Sequence, residues 1–120
     1  MGVYRDWEFY GKNKDGSFLS SKQIECLIAL DEYDLDGMEW YDNDTVIGSG
    51  YTESSSAYER IGDAVQKYAA IYPEVNLTVI ASDGTDKYGF MIRNGKFQRF
   101  DSTIVYTDEE GREIDPLSGF

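Results

Sequence analysis

The stretch from Ser54 to Phe100 reads SSSAYERIGDAVQKYAAIYPEVNLTVIASDGTDKYGFMIRNGKFQRF, and it decides the fold that the sequence predicts. Its first part indicates an amphipathic helix, because apolar residues recur at intervals of three and four. These residues are Tyr58, Ile61, Val65, Tyr68, Ala69 and Tyr72. Ser56 followed by Glu59 matches a capping box at the start of that helix. Pro73 has no amide N–H, so the helix is expected to end just before it.

The second part of the stretch predicts three consecutive strands. Residues 75–82 alternate between apolar and polar side chains, as in a strand with one buried face. Residues 88–92 repeat this alternation, and Asn94-Gly95 is typical of a two-residue type I′ hairpin. That turn is expected to pair Arg93 with Lys96. The return strand is expected to be long or to break in two, because apolar residues continue beyond it at Phe100, Ile104, Val105 and Tyr106.

The rest of the chain predicts further strands and one more helix. The predicted strands cover residues 3–11, 39–42 and 45–52, the second of them short. Ser20 and Gln23 match another capping box, opening a helix that runs to about Asp31. Residues 1–120 are therefore expected to form one α+β domain, with two helices on one face of a mostly antiparallel sheet. Residues 108–120 are expected to be a loose acidic tail.

The composition excludes several classes of function. The chain has 23 acidic and 11 basic residues and a net charge of −12, which disfavours direct binding to nucleic acid and to anionic membranes. It has no histidine, which removes the usual general base near neutral pH, so we expect a protein that is not an enzyme and carries no cofactor. The one cysteine, Cys26, is expected to be a buried, inert thiol. No segment is apolar enough to predict a membrane span, and a cytoplasmic location is expected.

The densest charge lies between Asp31 and Asp44, where seven acidic residues occur without a basic one. We interpret this stretch as a surface that steers a basic protein partner, with two aromatic side chains as anchors. The predicted steering residues are Asp31, Glu32, Asp34, Asp36, Glu39, Asp42 and Asp44, and the predicted anchors are Trp40 and Tyr41. The alternative is a solvated acidic face that only keeps the protein in solution.

The same stretch also matches part of a calcium-binding loop. Glu32, Asp34, Asp36 and Gly37 follow a predicted helix at the spacing of the first ligands of an EF-hand. The position of the bidentate glutamate that closes such a loop is occupied by Asn43. We therefore predict no specific metal site here, and weak cation binding stays an alternative.

The central stretch resembles small phage and mobile-element proteins that have a YubB-type ferredoxin-like domain. The resemblance covers about residues 54–97. It is carried by the helix end YAAIYP (68–73), the strand VNLTV (75–79), the acidic-glycine turn SDGTD (82–86) and the run NGK (94–96). It implies a ferredoxin-like fold and a mobile-element setting, and it supplies no catalytic site.

Together, the charge and this resemblance give a hypothesis for function. We expect a small, non-enzymatic inhibitor of a host nucleic-acid-handling defence system, of the anti-CRISPR or anti-restriction type, whose anionic surface mimics nucleic acid. The expected partner is a basic, nucleic-acid-binding host protein, and the chain itself is expected to be a monomer or a homodimer. An immunity or antitoxin-like protein that neutralises a basic toxin nuclease is an alternative, because the same acidic surface would serve it.

Overall fold

The computed structural model describes residues 3–102 and 106–120, and all the strands in them belong to one antiparallel sheet. The strands are β1 (Arg5–Asn13), β2 (Glu39–Trp40), β3 (Val46–Thr52), β4 (Val75–Ser82), β5 (Lys87–Arg93), β6 (Lys96–Ser102) and β7 (Tyr106–Asp108). The helices are α1 (Ser21–Leu30), α2 (Glu32–Leu35) and α3 (Ala57–Ile71). The strand order across the sheet is β2-β3-β1-β4-β5-β6-β7, so the two edges are formed by its shortest strands.

The predicted α+β class and antiparallel sheet are confirmed, but the sheet is larger than expected. A ferredoxin-like sheet usually has four strands, whereas the part of the chain that the structure describes contributes seven. It also contains three helices rather than the predicted two, because the acidic stretch forms the short helix α2. The radius of gyration is 13.3 Å, close to the value of about 14 Å expected for one compact domain of this length.

The main core lies between one face of the sheet and helices α1 and α3. The predicted apolar face of α3 is buried there, with Ile61, Val65 and Tyr68 fully inaccessible to solvent. From the sheet side, Trp7 and Phe9 of β1 fill the centre of this core. The hydroxyl of Tyr68 donates to the carbonyl of Gln23 at 2.9 Å and so ties the two helices together.

The two predicted capping boxes have different outcomes. At α1 the box forms, because the Gln23 amide donates to the Ser20 hydroxyl while the Ser20 amide donates to the Gln23 side chain. At α3 the predicted box is absent. Ser56 has helical backbone angles, and its hydroxyl accepts instead from the Arg60 guanidinium at 2.6 Å. The chain enters α3 through a turn in which the Ala57 amide donates to the Ser54 carbonyl.

The predicted β5–β6 hairpin is confirmed in type and register. Asn94 and Gly95 both have positive φ, at 55° and 75°, as a type I′ turn requires. Arg93 pairs with Lys96 across the turn. Ile104 and Val105, which were expected near the end of the return strand, lie outside the described residues. Strand β4 differs from its prediction, because it is central and both of its faces are buried.

The second face of β4 is covered by the C-terminal segment, residues 109–120, which follows β7. The sequence predicts a loose tail over residues 108–120, whereas the structure docks this segment on the side of the sheet away from the helices. Pro116 is buried, and its carbonyl accepts from the Thr78 hydroxyl and from the Arg93 guanidinium. Beneath the segment, Ile80, Met91 and Phe100 form a small second core with Tyr10, Tyr106 and Ile114. Apolar side chains on that face of the sheet explain why the segment is held.

Candidate partner-binding surface

The acidic stretch is folded into the end of α1, helix α2, strand β2 and the loop before β3. This placement exposes most of its carboxylates to solvent. The exposed ones are Glu32, Asp36, Glu39, Asp42 and Asp44. The side chain of Tyr41, a predicted anchor, is 38% exposed, and its hydroxyl lies 2.9 Å from Glu39 Oε2 and 3.0 Å from Ser49 Oγ. These six side chains are accessible to a partner, and their binding role stays a prediction.

Two of the predicted steering residues, Asp31 and Asp34, are buried rather than displayed. Arg60 of α3 donates to both oxygens of Asp34, with Nε 2.8 Å from Oδ2 and Nη2 3.0 Å from Oδ1. The Asp34 side chain is only 4% exposed. Both carboxyls are thus part of the packing of α2 against α3, and they are removed from the candidate surface.

The pKa values of the two buried carboxyls are shifted in opposite directions. Burial and the hydrogen bond to the Asp34 carboxylate raise the pKa of Asp31 to about 7. For Asp34, burial acts in the same direction but is outweighed by the hydrogen bonds from Arg60 and Asp31, so its pKa is lowered. Among the described residues, Asp31 Oδ2 is buried and meets no donor. A proton on Asp31, donated to Asp34, satisfies both groups.

This pair gives a pH-dependent prediction for the variant Asp31→Asn. The folded state holds the Asp31 proton up to about pH 7, whereas the ordinary pKa is 3.8. The stability that this proton contributes is therefore fully present below about pH 4 and is lost as the pH rises through 7. An asparagine amide donates to Asp34 at every pH. At pH 8 the free energy of unfolding of the variant should therefore exceed that of the native chain by about 1 kcal/mol. Urea unfolding at pH 5 and pH 8 measures this; an equal effect at both would contradict it.

Trp40, the other predicted anchor, is turned towards the core. Its indole N–H donates to the Leu35 carbonyl at 2.9 Å, and its ring lies 5.0 Å from that of Phe9. The ring also covers Gly48, where a side-chain Cβ would approach it to 2.4 Å. The close approach of this ring to the β3 backbone explains the glycine, and Trp40 is a packing residue rather than an anchor.

The predicted binding residues did not include a group of acidic and aromatic side chains on the sheet itself. Cross-strand pairs place Asp6 opposite Tyr51 and Glu8 opposite Ser49, and Ser49 also pairs with Glu39. Directly paired residues lie on one face, here the face opposite the helices. The alternation of Tyr4, Asp6, Glu8 and Tyr10 with buried Trp7 and Phe9 was the signal in the sequence that could have revealed it.

This face contains an open groove of about 490 Å³ at the β2 end of the sheet. Three carboxylates, those of Asp6, Glu8 and Glu39, line it together with Tyr51, and none of the described residues that line it is basic. An adjoining groove of about 410 Å³ is lined by Tyr33, Tyr51 and Glu53, among others. We call the three strands β2, β3 and β1, on the side away from the helices, the open half of the sheet. Its chemistry fits cationic groups.

The described residues contain neither a cluster of metal ligands nor a helix that could span a membrane. Over residues 3–102 and 106–120, no group of three or more acidic or cysteine side chains is arranged to hold a metal ion. The first four residues of the segment that resembles a calcium loop form helix α2, and its Asp34 is paired with Arg60. Within the same residues, no helix has the length and apolar character needed to cross a membrane.

Comparison of the chain with known protein families, with curated proteins and with solved structures found no match.

Proposed function

We propose that this chain is a small binding protein without catalytic activity whose partner is a basic surface of a nucleic-acid-handling protein. One observation carries the proposal: three carboxylates and an exposed tyrosine surround an open groove, and none of the described residues that line it is basic. The exposed acids of residues 32–44, of which Glu39 lines the groove, add further negative charge to the surface. With a net charge of −12, the surface attracts cationic partners over a distance of about one Debye length.

Within this proposal, we interpret the first two thirds of the chain as a ferredoxin-like core. Elements β1, α1, β2, β3, α3 and β4 follow one another in the β-α-β-β-α-β order of that fold, with α2 inserted after α1. Strands β5, β6 and β7 then extend the sheet beyond β4. This interpretation agrees with the ferredoxin-like domain implied by the sequence resemblance.

The setting of the function follows from the same resemblance. Small phage and mobile-element proteins that carry such a domain meet host defence systems, and those systems bind nucleic acid through basic surfaces. An acidic protein that covers such a surface would exclude nucleic acid by occupying its site, which is inhibition by mimicry. We therefore propose an inhibitor of the anti-CRISPR or anti-restriction type, with support for this setting coming from the sequence resemblance.

The test uses three variants that each neutralise three exposed acids and so change the net charge equally. The loop variant carries Glu32→Gln, Asp36→Asn and Asp42→Asn. The sheet variant carries Asp6→Asn, Glu8→Gln and Glu39→Gln. The control variant carries Glu25→Gln, Asp63→Asn and Glu74→Gln, which lie on or beside the helices.

The partner is first captured from a host lysate, and its association rate with each variant is then measured at low and high salt. The loop variant, the sheet variant or both should slow association by about ten-fold relative to the control variant, because electrostatic steering sets the rate. High salt should reduce this difference. The captured partner should also lose its nucleic-acid binding when the chain is added. Association rates that are equal in all three variants and insensitive to salt would contradict the proposed function.

A further inference from the structure

We propose that the open half of the sheet is the docking surface for an extended, arginine-rich segment of the basic partner. This inference rests on the proposed function, since it names the surface and the side-chain chemistry through which the same partner is recognised.

The C-terminal segment covers one half of this face of the sheet and leaves the other half exposed. Over β4, β5 and β6, the C-terminal segment covers the apolar side chains, as the burial of Ile80 and Met91 shows. Over β1 and β3, Tyr4 is 54% exposed and Tyr51 is 59% exposed. Glu8 of the open half pairs directly with Ile80 of the covered half, so both lie on one continuous face. No described segment of the chain covers the open half.

The open half combines the two groups that recognise arginine. The rings of Tyr4 and Tyr51 are stacked, with centroids 5.3 Å apart and planes 18° from parallel, and they present an aromatic surface to solvent. The carboxylates of Asp6 and Glu8 lie beside them. A guanidinium can stack on an aromatic face while its planar fork binds a carboxylate, and a lysine ammonium cannot do both equally well.

The chain itself shows this chemistry at another place. The Arg60 guanidinium carbon lies 4.7 Å from the centroid of the Tyr33 ring while the same group donates to both oxygens of Asp34. A tyrosine and an aspartate of this chain thus hold one arginine, whose side chain is 34% exposed. The open half offers tyrosine and carboxylate side chains of the same kinds, and there they face solvent.

The spacing of the carboxylates indicates an extended segment. Asp6 and Glu8 are two residues apart on one strand, so their Cα atoms are separated by about 7 Å. Alternate side chains of an extended partner have the same separation. Arginines at every second position would therefore meet successive carboxylates along β1. Glu39, at the other side of the groove, provides a further carboxylate for the same segment.

The probe for the first experiment is a short peptide of alternating arginine and serine, titrated at low salt into the isotope-labelled full chain. Amide chemical shifts should change at residues 4–10 and 48–53. A peptide of alternating lysine and serine should bind about five-fold more weakly, because it lacks the stacked fork. Tyr51→Ala and the sheet variant should each weaken arginine-peptide binding about five-fold, whereas the control variant should match the native chain.

Several outcomes would overturn this inference. Shift changes confined to the helices or to residues 32–44 would place the segment elsewhere. Equal weakening by the sheet and control variants would mean that only net charge matters. Shift changes at residues 4–10 on dilution without peptide would mean that a second copy of the chain covers the open half.

The captured partner separates the failure of this inference from the failure of the proposed function. If the loop variant slows association and the sheet variant behaves as the control, the docking surface is wrong and the proposed function stands. If neither variant differs from the control and salt has no effect, both are wrong. Slower association of the sheet variant and of Tyr51→Ala supports both.

Discussion

Arg60→Met should lower the free energy of unfolding by about 3 kcal/mol, because it leaves a buried carboxylate without its cation. In the native chain Arg60 holds both oxygens of Asp34, whose side chain is almost inaccessible to solvent. Asp31 lies beside it, and burial together with the Asp34 carboxylate already raises its pKa to about 7. A third of the arginine side chain is exposed, so the loss should lie at the lower end of the range for buried ion pairs.

Urea unfolding at pH 7 measures the effect, and a second substitution identifies its cause. Adding Asp34→Asn to Arg60→Met removes the unpaired negative charge of the buried carboxylate and should restore about half of the lost stability. Lys67→Met is the matched control, since it removes an exposed cation from the same helix and should change stability by less than about 0.5 kcal/mol. Equal losses in Arg60→Met and Lys67→Met would show that the contact with Asp34 contributes nothing specific.

Arg93→Ala should release the C-terminal segment from the sheet and cost about 2–3 kcal/mol of stability. The Arg93 guanidinium donates to the carbonyls of Leu77 and Ile92 in the sheet and to those of Pro116 and Ser118 in the segment. One side chain therefore links the strands to the segment that covers them. Its loss removes this donor from the carbonyls of Leu77, Ile92 and Ser118, and among the described residues only Thr78 then donates to the Pro116 carbonyl.

Hydrogen exchange at the amide of Ile114, which donates to the Tyr106 carbonyl at 2.9 Å, reports on this release. Exchange there should become at least about ten-fold faster in Arg93→Ala, because the segment opens without global unfolding. Arg93→Lys should recover only part of the protection, since a lysine lacks the planar fork. Lys96→Ala, at the position paired with Arg93 across the hairpin, is the control. Unchanged exchange at Ile114 in Arg93→Ala would refute the linking role.

The parts of the fold that the sequence predicts well depend on neighbours along the chain. The β5–β6 hairpin follows from Asn94-Gly95, whose backbone conformation fixes the register of the flanking strands. Helix α3 follows from its apolar spacing and from Pro73 after its end. The docked C-terminal segment was not predicted, because it is held by contacts such as that between Thr78 and Pro116, far apart in sequence.

In the candidate site, too, the sequence predicts local features and not the contacts between residues that are far apart in the chain. The density of acids between residues 31 and 44 was visible in the sequence, but the sequence does not show that Arg60, 26 residues away, binds Asp34. Nor does it show that Trp40 packs on Gly48, since that contact depends on the pairing of β2 with β3. Conversely, the carboxylates of β1 belong to the candidate site only because β3 lies beside β1 in the sheet, and the sequence does not show this pairing.

The shortness of both edge strands has a consequence for self-assembly. Strand β2 has two residues and strand β7 has three. Thr107 of β7 also forms an isolated antiparallel bridge with Glu113, later in the chain. Long unpaired edges are the templates on which fibrils and strand-swapped aggregates grow. Because β2 and β7 each present few backbone donors and acceptors, neither strand offers a long template, and the molecule should resist polymerisation at these two strands.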